Sequence, residues 1–292
     1  MKRKILITGS KGSLGKSIFN QKKSLPYDCI FLIKKKHSPH KYGTDKHVIA
    51  DLSKEEDLDD HLWGVDEVFH MAGSTHERNK KKYYINNFQA TKRLIDKSET
   101  NGVKRFIYIS TQAIGEKGGA YSHSKELAED YLMQSKLAWT IIRSADIYGT
   151  DSEESISSLC KLIKYSKLFP IIGDGEYKIN PVHIDDVADF ILRLLKCESN
   201  KSHFKVYNLA GKQPISFKNI CIRIFNEYNK KPIFIHVPVI ICKFILSLSN
   251  ILRVSKLVPD QIDRLIMVKN NNIELASKDY QFCPREFFLK KV

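Results

Sequence analysis

Residues Ile5-Leu6-Ile7-Thr8-Gly9-Ser10-Lys11-Gly12-Ser13-Leu14-Gly15-Lys16-Ser17-Ile18 pass from an apolar run, through a glycine-rich turn, into a helical pattern. The run Ile5 to Thr8 reads as a buried strand that breaks at Gly9. The three glycines do different work. Gly9 permits a tight turn, Gly12 lets the backbone approach a pyrophosphate, and Gly15 lets the next helix pack close to the sheet. Ser13 and Leu14 open that helix, whose free N–H groups and positive dipole end suit phosphate. Gly9, Gly12, Ser13, Leu14 and Gly15 are therefore candidate cofactor-binding residues.

Outward from this stretch, strands and helices alternate. Candidate strands are Lys4–Thr8, Cys29–Ile33, His47–Ala50, Glu67–Met71, Arg105–Ser110 and Thr140–Arg143. Candidate helices are Ser13–Lys22, Lys54–His61, Tyr83–Asn101 and Tyr121–Lys136. The rhythm predicts an α/β fold with a doubly wound parallel sheet of the Rossmann type. Strands such as RFIYIS are apolar almost throughout, as a sheet covered on both faces requires. After Gly149 the rhythm changes. Ser152–Lys167 and His183–Lys196 look helical, and Pro170–Pro181 reads as a loop. The expected division is a dinucleotide-binding domain over 1–150, with 179–211 returning to it. The segments 151–178 and 212–292 would form a smaller substrate-side subdomain.

The chain has 292 residues, 42% hydrophobic and 28% charged, with a formal net charge of +15. These are the proportions of a globular protein able to bury a core. The lysines are scattered as well as clustered, so solvated faces explain most of the charge. The sharper reading is attraction to anionic ligands or membrane surfaces. No nucleic-acid motif accompanies the charge, so no nucleic-acid partner is expected. The six cysteines form no CxxC pair. They read as reduced thiols of a cytoplasmic protein, and the histidines show no metal-ligand spacing, so no metal is expected.

A second constellation follows the fifth strand: Ser110-Thr111, then Tyr121-Ser122-His123-Ser124-Lys125. Tyr at i and Lys at i+4 share one helix face. A phenol has a free pKa of about 10, too high for proton transfer near neutrality. A nearby ammonium favours the phenolate. A hydroxyl at the strand end can hold a substrate oxygen against the Tyr, giving a proton-transfer device beside a hydride carrier. Thr111, Tyr121 and Lys125 are the candidate catalytic residues.

With these motifs the chain resembles the short-chain dehydrogenase/reductase superfamily, and within it the extended and atypical NAD(P)-dependent epimerase/dehydratase group. The likeness extends over Asp51-Leu52, His70-Met71-Ala72-Gly73, NGVKRFIYIST, TIIRSADIYG, GDGEYKINPVHIDDVADFI and VYNLAGKQPISFKNI. It implies that Asp51 and Leu52 border the adenine and that Ala72 and Gly73 lie along the cofactor. Ser144 and Ile147 would lie near the nicotinamide, and Lys125 would contact the ribose as well as tune Tyr121. It further implies an enzyme, an epimerase, dehydratase or reductase acting on a nucleotide sugar. The chain departs from the group's pattern in three places. Thr111 and Tyr121 stand only ten positions apart. That short connection resembles atypical members, among them the NADPH-binding accessory subunit of respiratory complex I, so a non-catalytic NADP(H)-binding or redox-sensing role is the alternative. Lys178 stands where an Arg often serves the substrate pyrophosphate. No acid follows the second strand, where Lys34-Lys35-Lys36 appears instead; Lys34 then suits the 2′-phosphate, and NADP(H) is expected over NAD(H).

Residues 237–258 are largely apolar, with Lys243, Ser247 and Asn250 at i, i+4 and i+7. The pattern predicts a helix with one narrow polar stripe facing outward. Its apolar face would meet the core or a second copy in a homodimer. The alternative is peripheral membrane contact, with Arg253 and Lys256 near anionic headgroups.

Overall fold

The computed structural model describes residues 2–20, 25–34, 46–54, 58–149, 156–197, 200–251 and 258–288. Lys35, Lys36, Arg253 and Lys256 lie outside the described residues. The first six strands are β1 (Arg3–Thr8), β2 (Tyr27–Ile33), β3 (Lys46–Ile49), β4 (Glu67–His70), β5 (Arg105–Thr111) and β6 (Ala138–Ser144). With a seventh strand, Lys205–Leu209, they form one parallel sheet. Its spatial order is Lys205–Leu209, β6, β5, β4, β1, β2, β3. The order reverses between β1 and β4, so a crevice opens beyond the carboxyl end of β1, where the glycine turn lies.

Side chains alternate between two apolar layers, as a pleated strand dictates. Ile5, Ile7, Phe69, Ile107 and Ile142 point into one layer; Leu6, Val68, Phe106, Tyr108 and Ile141 point into the other. The helices Ser13–Asn20 and Ile184–Lys196 cover the first layer. Lys80–Thr100 and Gly119–Met133 cover the second. A third cluster, around Tyr148, Ile163, Phe169, Ile220 and Phe225, is the core of the smaller region.

The structure corrects the sequence reading at several elements. Pro170–Pro181 is not all loop, because Leu168–Ile172 is a strand that pairs in parallel with Ile233–Val237. Pro170, opposite Ile235, is tolerated because this sheet has only two strands. The helix expected at Lys54–His61 is, among the described residues, the single turn Asp59–Leu62. The helix expected from Tyr83 starts at Lys80 and contains a π-helical turn, Tyr84–Gln89. Ala276, Tyr280 and Phe282, grouped from sequence with the smaller subdomain, pack in the first layer under the sheet.

The predicted 237–258 helix is Val239–Ile251 among the described residues; Ser247 is exposed, as expected, but the exposed surface is not confined to a narrow polar stripe. Lys243 is half-exposed and pairs with Asp263. Ile240, Ile241, Phe244, Ile245 and Leu248 face out as well.

Candidate active site

The glycine turn follows from backbone sterics. Gly9 has φ +76°, and a Cβ on it would stand 2.6 Å from the Ala72 backbone nitrogen. The Gly12 N–H donates to the Gly9 carbonyl at 3.0 Å, which closes the turn. A Cβ on Gly15 would lie 2.5 Å from the Ser10 carbonyl oxygen, so only glycine lets the helix begin there. Gly12 differs, since a Cβ there would meet only the Gly9 carbonyl, at 3.4 Å, and otherwise open space. That open side faces a cleft of about 660 Å³.

The cleft brings together most of the candidate residues, which reach it from five segments. Gly9, Gly12, Ser13, Leu14, Gly15, Gly73, Thr111, Tyr121, Lys125, Ser144 and Ile147 all line it. Asp51, Leu52, Lys34 and Ala72 do not. Lys34 Nζ lies 3.2 Å from Asp51 Oδ2, beyond the ends of β2 and β3. Burial pushes the Asp51 carboxyl up, but hydrogen bonds from Ser53 and the Lys34 ammonium hold it below the usual range. Leu52 is a core residue of the second layer. Ala72 touches the site through its backbone, its N–H donating to Thr8 Oγ1 at 3.2 Å. Lys178 lines a separate hollow with Lys212, Arg223 and Glu286.

Tyr121 sits in the first turns of the Gly119–Met133 helix. The residue before that helix, Gly118, supplies no side-chain cap. Asp260, from a distant segment, does: its carboxylate accepts from the Tyr121 backbone N–H. Gly119 has φ +78°, and a Cβ there would stand 2.7 Å from Asp260 Cβ, so the glycine lets the cap approach. The Tyr121 ring packs edge-on to Tyr83, centroids 5.8 Å apart, and the Arg264 guanidinium stacks 4.3 Å from its centre. Arg264 also donates to the Thr75 carbonyl at 3.2 Å.

Lys125 is buried, and its Nζ donates to the Ile109 carbonyl at 2.8 Å over the face of Tyr108. Burial pushes its pKa down to about 7, with the Glu129 carboxylate pulling the other way. Beneath it, His70 is fixed in one tautomer by its partners. Thr91 donates to the Asn87 carbonyl at 2.6 Å, so its oxygen accepts from His70 Nε2 at 2.9 Å. His70 Nδ1 then accepts from Thr8 Oγ1 at 2.6 Å. Burial, and after it the Lys125 charge, pushes the His70 pKa down to about 3, so the ring is neutral.

Sequence reasoning missed Asn87, Asp260, Arg264 and Lys269. Asn87 accepts from the Ser74 N–H at 2.7 Å and donates to the Ser74 carbonyl and Ser124 Oγ, both at 3.1 Å. It thereby fixes the backbone after Gly73 along the cleft wall. Its signal was a polar residue on the buried face of a helix, here within the π turn, a feature often found at functional sites. Lys269, 2.7 Å from Asp146, lines the cleft from a segment with no local motif.

The residues present fit a dinucleotide. The Gly12 side of the turn is open, and Ser110 Oγ and both polar ends of Gln112, which also line the cleft, have no hydrogen-bond partner among the described residues.

Residues 5–210 match a family profile described as the NAD dependent epimerase/dehydratase family. Among curated proteins, the chain is 26% identical over 211 residues to N-acetyl-alpha-D-glucosaminyl-diphospho-ditrans,octacis-undecaprenol 4-epimerase of Escherichia coli O157:H7, covering 65% of this chain and 63% of that protein. It is also 26% identical over 220 residues to UDP-glucose 4-epimerase of Vibrio cholerae, covering 66% of each. The chain thus spans just under two thirds of the length of both relatives. Among solved structures, it resembles UDP-glucuronic acid 4-epimerase from Bacillus cereus in complex with UDP-glucuronic acid and NAD. There the TM-score is 0.74 at 21% identity, over 97% of this chain and 94% of that one, a likeness of fold.

Proposed function

We propose a function from the premise that this chain belongs to the NAD dependent epimerase/dehydratase family: it is an NAD(P)(H)-dependent epimerase, dehydratase or reductase acting on a diphosphate-linked sugar of the nucleotide-sugar class. The observation that carries the proposal is that Thr111, Tyr121 and Lys125 line the same open cleft as the glycine turn. A purely structural dinucleotide-holding protein, the alternative reading, has no need of an open cleft at Tyr121.

Gly9 to Gly15 would hold the pyrophosphate, and Ser144 and Ile147 would border the nicotinamide. The bound nicotinamide supplies a hydride acceptor and donor. Tyr121 takes the proton of the substrate carbinol and returns it to the carbonyl oxygen. Thr111 holds that oxygen; its own Oγ1 accepts from the Ala113 N–H at 3.1 Å, which fixes its rotamer. Arg264, stacked on the ring, and Lys125 in its charged form, fixed by the Ile109 carbonyl, favour the phenolate.

Preference for NADP(H) over NAD(H) is part of this proposal. It is supported by Lys34 at the end of β2 and opposed by Asp51 beside it. Asp51→Asn removes the opposing charge and should shift the ratio of affinities toward NADP(H) in calorimetric titrations. An unchanged ratio would place neither residue at the ribose.

The reaction is tested by screening UDP-sugars for epimerised, dehydrated or reduced product, then repeating the assay with Tyr121→Phe. Removing only the hydroxyl should lower turnover by roughly two to four orders of magnitude, the usual size of a lost general acid–base. Cofactor affinity should hold. A Tyr121→Phe chain as active as the parent would remove Tyr121 from the mechanism.

A further inference from the structure

The helix Val239–Ile251 has two unlike faces. Its inner face carries Leu246, which lines the cleft, and Lys243, which pairs with Asp263. Its outer face is largely apolar and open: Ile240 is 81% exposed and Phe244 69%, with Ser247 exposed beside them. The two-stranded sheet just before it repeats the arrangement. Phe169 and Phe234 point into the core of the smaller region, while Leu168 and Ile233, paired across the strands, are 52% and 59% exposed. Large apolar side chains concentrated in one region of a surface mark a contact with something else.

The charges around these faces say what that something is. The stretches 156–172 and 228–251 contain six lysines and no Asp or Glu. Lys161, Lys164, Lys167 and Lys231 are exposed, interleaved with the open apolar residues Leu162, Tyr165, Leu168 and Ile233. A second copy of the chain would set lysines against lysines, with no acid in either stretch to answer them. An anionic lipid surface answers both features, since acyl chains accept the apolar side chains and headgroups the ammonium groups. No helix among the described residues is long and apolar enough to cross a membrane, so the contact is an interfacial one.

We propose that the outer face of Val239–Ile251, with the outer face of the sheet formed by Leu168–Ile172 and Ile233–Val237, seats this chain on an anionic bilayer. The cleft wall is the inner face of the same helix, so seating sets the active site against the lipid. This deepens the reading above, on which its substrate half rests: the diphosphate-linked sugar is carried on a lipid. The apolar cleft wall of Leu159, Ile172, Phe217 and Leu246 suits the first units of such a carrier.

Flotation of the full chain on vesicles of phosphatidylcholine with phosphatidylglycerol tests the docking. The chain should rise with these vesicles, and remain below with phosphatidylcholine alone. Lys164→Gln and Lys167→Gln should each weaken binding by about fivefold, the contribution of one lysine at an anionic surface. Ile240→Asp combined with Phe244→Asp should abolish it, with melting temperature and cofactor affinity unchanged. Failure of the parent to float, or flotation of the double variant like the parent, overturns the proposal. So does a concentration-dependent dimer that this variant loses while the parent ignores vesicles.

The substrate half is read separately. Turnover of a polyprenyl-diphosphate N-acetylhexosamine in the same vesicles should fall in the double variant, while turnover of a soluble UDP-sugar stays. Turnover of the UDP-sugar without the embedded one overturns the lipid carrier and leaves the reaction standing. Turnover of neither counts against the reaction itself and leaves the flotation result intact.

Discussion

Lys125 holds its ammonium in a site that resists charge, and that has a consequence for stability. Burial lowers its pKa from 10.5 to about 7, against the pull of Glu129. Between these values the unfolded chain carries a proton that the folded chain releases. The contribution of Lys125 to the stability of the cofactor-free protein therefore rises with pH across that window and is least below about 7. Lys125→Met should remove this slope and raise the melting temperature most at the lower end of the window. A melting profile against pH that is the same in parent and variant would show that the lysine is solvated in the fold. That the same residue shares a helix face with Tyr121 was legible from its i+4 spacing alone. Its burial over Tyr108 was not, because that ring comes from β5, a different element.

At the scale of elements, the strand–turn–helix unit separates two kinds of glycine. Gly15 has no room for a side chain, because the Ser10 backbone stands where its Cβ would go. Gly12 has room, and the space is where a pyrophosphate would lie. Gly15→Val should destabilise the fold by about 1–3 kcal/mol or more, as overpacking against backbone does. Gly12→Val should keep the melting temperature of the parent and lose cofactor affinity. Denaturant unfolding and cofactor titration read the two outcomes, and a Gly12→Val chain that binds cofactor normally would displace the site from this turn. The turn was readable from sequence because its geometry is set within eleven residues. The strand Leu168–Ile172 was not, because a proline in a short apolar run signals a loop unless a partner strand is known.

Over the whole molecule, the sheet is finished by chain from far along the sequence. Phe190 sits where these parts meet, with its ring 5.4 Å from Tyr207, 5.4 Å from Tyr280 and 5.7 Å from Phe282. It is fully buried, so Phe190→Ala should cost about 3–5 kcal/mol in denaturant unfolding. If the terminal segment and sheet unfold as one unit, fluorescence and circular dichroism should report a single shifted transition. Two separated transitions, with the sheet unaffected, would show that residues 276–282 are only loosely attached. The Asp260 cap on the Tyr121 helix belongs to this scale too, since 139 positions of chain separate its two partners.

What depends on near neighbours could be read from the chain alone. The glycine turn, the Tyr121–Lys125 spacing and the apolar strands all follow from backbone sterics and side-chain period within one element. The alternation of those elements was enough to specify a doubly wound sheet. Tertiary structure decided what depends on distant partners. It drew Lys34 onto Asp51, moved Leu52 into the core, and brought Asn87, Asp260 and Arg264 to the helix that carries Tyr121. It also paired Lys243 of the helix Val239–Ile251 with Asp263 and left large apolar residues of that helix open. Periodicity can show that one side of a helix is polar, but it cannot show whether an ion pair awaits that side within the protein. Here Asp263 pairs with Lys243, and Ile240 and Phe244 are left to face outward beside Ser247.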